Sequence, residues 1–186
     1  MSPRNLPNLL TALRILLVAP VVWSLQATRY RTALVLFVIA GVTDLLDGYL
    51  ARRFNWRTRL GSVLDPVADK LLLSVVYVAL AWIDQLPWWL ALVVVARDLV
   101  IMSGALAFHL LIGEVEMAPR LSGKVNTAVQ LSLVAVVVGG LAGLPFPSWL
   151  AAALVWGVAA TALWSGLDYV RTWARKAIAA QAPAQP

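Results

Sequence analysis

The chemistry in this sequence lies with four aspartates. Asp44, Asp47, Asp65 and Asp69 are four of its nine acidic residues, and they fall within a 26-residue window. They stand near the ends of two successive apolar runs joined by the arginine-rich segment 52–59. A helix advances about 100° per residue, so Asp44 and Asp47 lie one turn apart on one stripe, with Ala51 following on the same side. Asp65 and Asp69 are also one turn apart, with Gly61 one turn before them. A helical hairpin would bring the four carboxylates together. Four such charges in a low-dielectric place repel one another and stay ionised only with cations between them. Oxygen-only ligation suits a hard dication such as Mg²⁺, Mn²⁺ or Ca²⁺. Four acids suffice to hold two ions as a clamp on a phosphate.

Two plainer readings stand beside this one. The aspartates could pair with Arg52, Arg53 or Lys70, or cap helix ends; Asp65 before Pro66 reads as a helix start. Gly48 and Gly61 could admit a phosphate or ligand backbone close to the acids, or serve as helix packing contacts.

The elements that must position these residues follow from composition. The 186 residues are 61% hydrophobic and 13% charged, with a mean hydropathy of +0.82. Soluble domains run at roughly 45–50% apolar and about 25% charged. That excludes a cytosolic globular domain, a disordered chain and a nucleic-acid-binding arm; no nucleic-acid partner is expected. The net charge of +6 suits anionic lipid or phosphate ligands. With no cysteine, disulfides, thiolate metal sites and cysteine nucleophiles are ruled out.

A membrane-spanning helix needs about 20 mostly apolar residues. Such stretches lie at 9–26, 32–50, 64–83, 88–112, 122–141 and 148–170, separated by polar or Pro/Gly-bearing breaks. The expectation is an all-α, polytopic membrane protein: a six-helix transmembrane bundle forming a single domain over 1–176, followed by a loose tail over 177–186. Arg14 interrupts the first run, which argues against a cleaved signal peptide. Arg4, Arg52, Arg53, Arg57, Arg59, Arg120, Lys124, Arg171, Arg175 and Lys176 fall on one side, and Arg29 and Arg31 on the other. This positive-inside bias places both termini, and the acids, at the cytoplasmic face. The absence of an Arg/Ser-rich leader points to a bacterial inner membrane.

The pattern Asp44-x2-Asp47-Gly48-x2-Ala51-Arg52-x8-Gly61-x3-Asp65-x3-Asp69 resembles the signature of the CDP-alcohol phosphotransferase family at every fixed position and spacing. The likeness runs from the 7–11 segment to about Gln130. The stretches 40–48 and 122–131, with Arg97-Asp98, are similar to the eukaryotic-type cardiolipin synthase branch. The 61–70 segment is shared with the phosphatidylglycerophosphate synthases.

The resemblance implies transfer of a phosphatidyl group from CDP-diacylglycerol to the hydroxyl of phosphatidylglycerol, forming cardiolipin and releasing CMP; glycerol 3-phosphate is the alternative acceptor. It implies two Mg²⁺ or Mn²⁺ ions held by Asp44, Asp47, Asp65 and Asp69, with Asp69 also the general base. Gly48, Ala51, Arg52 and Gly61 would seat the CDP moiety; Asn8, Thr11 and Arg14, recurring at one-turn spacing on the first helix, either border the nucleotide or form a structural polar stripe. On the expected topology Arg97 and Lys124 fall near the cytoplasmic halves of the fourth and fifth helices, where they could hold the acceptor's phosphate; the plainer reading pairs Arg97 with an aspartate on another helix. A homodimer in a lipid membrane is implied as well.

Arg97 and Asp98 are sequence neighbours on one helix, which argues against a simple mutual ion pair. His109, the one histidine, reads as scaffold. The tryptophans, including Trp88, Trp89, Trp149 and Trp173, read as interfacial anchors, and Gly139-x3-Gly143 as a candidate dimer contact. Arg171, Arg175 and Lys176 read as reaching toward anionic headgroups. A divalent-metal transporter is the remote alternative; the crowding of the acids at one face argues against it.

Overall fold

A computed structural model describes residues 6–53, 59–111 and 121–181, with side chains over 12–43, 46, 70–104, 121–173 and 175. The described residues form six helices and no strand: α1 (Leu6–Gln26), α2 (Tyr30–Arg53), α3 (Arg59–Trp82), α4 (Trp88–Leu111), α5 (Leu121–Leu141) and α6 (Ser148–Gln181). Each expected apolar run becomes one helix. The bundle is built from three antiparallel hairpins, α1–α2, α3–α4 and α5–α6, with α1 also against α3, α4 against α6, and α5 against α2 and α3.

The three hairpin turns are the same device. After α1, Arg29 N–H reaches back to Ser24 O at 2.8 Å and Thr28 N–H to Leu25 O at 3.2 Å. After α3, Gln85 bonds Leu80 at 2.9 Å and Asp84 bonds Ala81 at 3.1 Å. After α5, Leu144 bonds Gly139 at 2.9 Å and Gly143 bonds Gly140 at 3.0 Å. Each pair is the Schellman pattern, which satisfies the last carbonyls of a helix and requires a left-handed residue. Thr28 (φ 56°), Asp84 (φ 57°) and Gly143 (φ 94°) supply it. Only Gly143 does so without steric cost from a Cβ. Pro87 and Pro147 immediately precede α4 and α6 and fix where those helices begin.

Gly139 and Gly143 therefore serve the chain's own turn. A Cβ on Gly139 would stand 2.9 Å from the Phe146 ring. Trp173, expected as an interfacial anchor, lies over Gly104 and against Tyr169, 5.9 Å between ring centroids. Its position between α4 and α6 reflects the space a glycine leaves on the facing helix.

Two boundaries differ from expectation. The helix α3 begins at Arg59 and runs through Asp65-Pro66, so Asp65 is no helix start. A proline removes one backbone bond, which a helix packed among neighbours tolerates. The helix α6 continues to Gln181, into the segment expected to be loose, because its alanines are strong helix formers.

The core follows helical periodicity. Val18, Val21 and Leu25 of α1, Phe37 and Ala40 of α2, and Leu73, Val76, Tyr77 and Leu80 of α3 meet Leu90, Val94, Leu133, Val134 and Val158. The outward faces are apolar too: Leu16, Val35, Leu92, Trp156 and Leu163 are exposed. A bundle greasy on both sides calls for an apolar surrounding. Among the described residues, two stretches are long and apolar enough to cross a membrane, Leu121–Leu141 and Ser148–Trp173. Ala12–Gln26, Tyr30–Thr43 and Lys70–Trp82 are shorter apolar stretches.

Candidate active site

Opposite the three turns, the hairpin order gathers the starts of α1, α3 and α5 and the ends of α2, α4 and α6. Most of the candidate residues belong to this end. Asn8 and Thr11 lie in the first turns of α1. Asp44, Asp47, Gly48, Ala51 and Arg52 lie in the last turns of α2, and Gly61, Asp65 and Asp69 in the first turns of α3. Their side chains lie outside the described residues. The backbone is nonetheless continuous helix through both acid pairs. That places Asp44 over Asp47 and Asp65 over Asp69 at one-turn spacing, on two helices that both pack against α1. The donor set is all carboxylate, which fits a hard dication and not zinc or copper. Among the described side chains, no group of three or more His, Cys, Asp or Glu residues could hold a metal.

The described side chains beside the acid-bearing turns form a buried polar network. Lys70 follows Asp69 on α3. Its Nζ lies 3.5 Å from Asp98 Oδ1 of α4 and donates to Thr127 Oγ1 of α5 at 3.5 Å. Arg97 Nη1 donates to the same Asp98 oxygen at 2.6 Å, and Nη2 donates to Ser165 Oγ of α6. The Arg97 guanidinium also lies 5.9 Å from the centroid of the Tyr169 ring. Gly123 lets α5 approach: a Cβ there would stand 3.3 Å from the Tyr169 hydroxyl and 3.6 Å from Arg97 Nη2. Beside this cluster, Ser122 donates to Asp168 Oδ2 at 2.7 Å, tying α5 to α6.

The network corrects one expectation. Arg97 and Asp98 do form an ion pair, because the long arginine side chain folds along its helix to the neighbouring carboxylate. With Arg97 7% and Asp98 3% exposed, little water competes for either charge. Nor is the pair isolated, since Asp98 serves Lys70 as well. The two acceptor candidates differ in setting: Arg97 is buried and engaged with Asp98 and Ser165, whereas Lys124 is exposed on α5. His109 lies on α4, and its side chain is outside the described residues.

Sequence reasoning missed Ser122, Asn126, Gln130, Ser165 and Tyr169 as members of this end. The available signal was the spacing of Ser122, Asn126 and Gln130, one per turn along α5. All three are buried, while Leu133, Val134 and Val138 continue the same buried face in apolar form. Asn126 Oδ1 accepts from Thr161 Oγ1 at 3.1 Å, and the backbone carbonyl of Gln130 accepts from the Tyr77 hydroxyl at 3.2 Å.

Comparison with known proteins agrees with the signature. A family model described as CDP-alcohol phosphatidyltransferase matches residues 4–164. A Homo sapiens protein named "Cardiolipin synthase (CMP-forming)" is 37% identical over 150 residues, covering 72% of this chain and 50% of the human protein. Two proteins named "CDP-diacylglycerol--glycerol-3-phosphate 3-phosphatidyltransferase" are each 35% identical. The Bacillus subtilis protein matches over 76% of this chain and 79% of its own length. The Shigella flexneri protein matches over 89% and 93%. The chain thus spans about half the length of the human relative and nearly all of the Shigella one.

Proposed function

The chain belongs to the CDP-alcohol phosphatidyltransferase family, and from that premise we propose that it moves a phosphatidyl group from CDP-diacylglycerol to the hydroxyl of phosphatidylglycerol, forming cardiolipin and CMP. The observation that carries this reading is the pair of aspartate couples at one-turn spacing on two continuous helices that share α1 as a neighbour. Asp44, Asp47, Asp65 and Asp69 would hold two Mg²⁺ or Mn²⁺ ions, which when bound supply charge neutralisation for the diphosphate.

The chain's own residues do the rest. Gly48, Ala51, Arg52 and Gly61, with Asn8 and Thr11, seat the CDP group, Arg52 offering a forked donor to phosphate. Asp69 accepts the proton of the acceptor hydroxyl. The hydroxyl oxygen forms a bond to the lipid-side phosphorus as the bond from that phosphorus to the CMP oxygen breaks. CMP leaves with the electron pair, and Asp69 returns its proton to solvent. Arg97 and Lys124 bind the acceptor's phosphate. The setting proposed is a six-span homodimer in a bacterial cytoplasmic membrane with the aspartates at the cytosolic face; the excess of basic residues at that end supports the orientation.

Glycerol 3-phosphate is the second reading of the acceptor, favoured by the near-complete coverage of the Shigella relative. Purified protein in lipid–detergent micelles, supplied with CDP-diacylglycerol and each acceptor in turn, separates the two by CMP release and product mass. Cardiolipin formation from phosphatidylglycerol is the expected outcome. Release with glycerol 3-phosphate alone overturns the acceptor assignment. No release with either, together with divalent flux into liposomes, overturns the chemistry in favour of a transporter.

A further inference from the structure

Apolar packing holds α3 along Leu72, Leu73, Val76, Tyr77 and Leu80. Such contacts are non-directional and leave a helix some freedom to roll or slide. At Lys70 the character changes. A charged group one residue from Asp69 is gripped by Asp98, whose Oδ1 also takes the Arg97 guanidinium at 2.6 Å. Arg97 is in turn bonded to Ser165 of α6, and Lys70 to Thr127 of α5. Lys70 thus ties α3 to α4 through Asp98 and to α5 through Thr127, and the Asp98–Arg97 pair extends the tie to α6, at the boundary between the apolar stripe of α3 and its acid-bearing turns. The 2.6 Å Arg97–Asp98 contact is charge-assisted and directional and fixes the carboxylate, Lys70 meets that carboxylate as a point charge at 3.5 Å, and misplacement of reacting groups by about 1 Å can cost on the order of 100-fold in rate.

We propose that Asp98 is a positioning residue: by clamping Lys70 it sets the rotation and height of the α3 turns that carry Asp65 and Asp69. Its kinetic consequence rests on the proposed phosphatidyl transfer, whereas its effect on cation binding does not. The described contacts of Asp98 are to Lys70 and Arg97. Removing the carboxylate outright would strand the buried Arg97 guanidinium and leave Lys70 without its acid, so the isosteric Asp98→Asn is the informative variant.

The test compares wild-type protein, Asp98→Asn, Lys70→Met, the double variant and Lys70→Arg. A further variant, Arg31→Gln, breaks a tie between hairpins at the far end, where Arg31 Nε donates to Ala142 O at 3.3 Å. Mn²⁺ binding is read by electron paramagnetic resonance on purified protein without substrate; kcat, KM and thermal unfolding are then measured. Both single variants should raise the Mn²⁺ half-saturation roughly 10–100-fold. Each should lower kcat more than it changes KM for the CDP-lipid. The double variant should bind Mn²⁺ no more weakly than the weaker single, because both act through one contact. Lys70→Arg should recover most of the binding, and Arg31→Gln should match the wild type.

Folded Asp98→Asn with wild-type Mn²⁺ affinity overturns the proposal, as does simple additivity of the two single effects. Should Asp98→Asn not fold, Lys70→Met and Lys70→Arg decide alone, since Lys70 is 21% exposed and tolerates change better than the buried aspartate. Wild-type protein that binds Mn²⁺ but transfers no phosphatidyl group overturns the proposed function and leaves the clamp to be decided by Mn²⁺ binding. Wild-type protein that binds no Mn²⁺ overturns both.

Discussion

The two ends of the bundle are held by different forces. At the turn end, backbone hydrogen bonds close three Schellman caps over an apolar core of Leu25, Ala33, Phe37, Leu80, Leu86, Leu90 and Val138. Its aromatic side chains meet across turns and helices: Trp82 lies 6.1 Å from Trp88, and Trp89 5.6 Å from Trp156. At the opposite end the helices are joined by side chains, chiefly Lys70, Arg97, Asp98, Ser122, Thr127, Ser165 and Asp168. Buried charge is weak as a source of stability, because desolvation offsets the attraction. The comparison teaches that stability is concentrated at the turns, where backbone geometry and apolar burial supply it cheaply. On the proposed clamp, the polar end gives up stability for fixed geometry beside the acids.

Substitutions at the two ends should therefore separate activity from stability. The largest effect is expected from Asp69→Asn at the polar end, which removes the proposed base: CMP release should fall by roughly 10²–10⁴-fold while thermal unfolding stays near wild type. Near-normal turnover would remove Asp69 from that role. Leu80→Ala, at a fully buried position of the turn end, should reverse the pattern. It should cost about 2–5 kcal/mol of stability and leave kcat of the folded fraction near wild type, measured by thermal unfolding and CMP release in parallel. A large kcat loss there would mean the two ends are mechanically coupled. The smallest effects concern the caps. Gly143→Ala, at φ 94°, should destabilise by about 1 kcal/mol, and Thr28→Gly, at φ 56°, should stabilise by up to about 1 kcal/mol. Equal signs for these two would mean that backbone strain does not govern the caps.

Much of the turn end was legible in the sequence, because its causes are local. Pro87 and Pro147 fix φ where α4 and α6 begin, and Gly143 supplies the left-handed residue after α5. Thr28 and Asp84 do the same work at polar breaks that mark where a turn falls but not which residue turns left-handed. Local rules misled at Asp65-Pro66, where a start signal sits inside α3, and at 177–181, where alanine propensity extends α6.

The candidate site divides along the same line. The spacing of Asp44, Asp47, Asp65 and Asp69 reads directly from the chain, because helical period alone places each pair on one stripe. The network behind them does not. Lys70, Asp98, Thr127 and Ser165 are far apart in sequence and lie on four helices. Even the adjacent Arg97 and Asp98 defied the neighbour rule, since a long side chain in a dry interior turns toward whatever charge is within reach.

The sequence by itself determined six apolar helices, the positions of three turns and the two aspartate pairs, because these depend on composition and on periods of a few residues. Only the tertiary structure decided which polar groups share the acid-bearing end and that Asp98 serves two cations at once. Those partnerships are set by helix packing, which brings together residues that no local spacing relates.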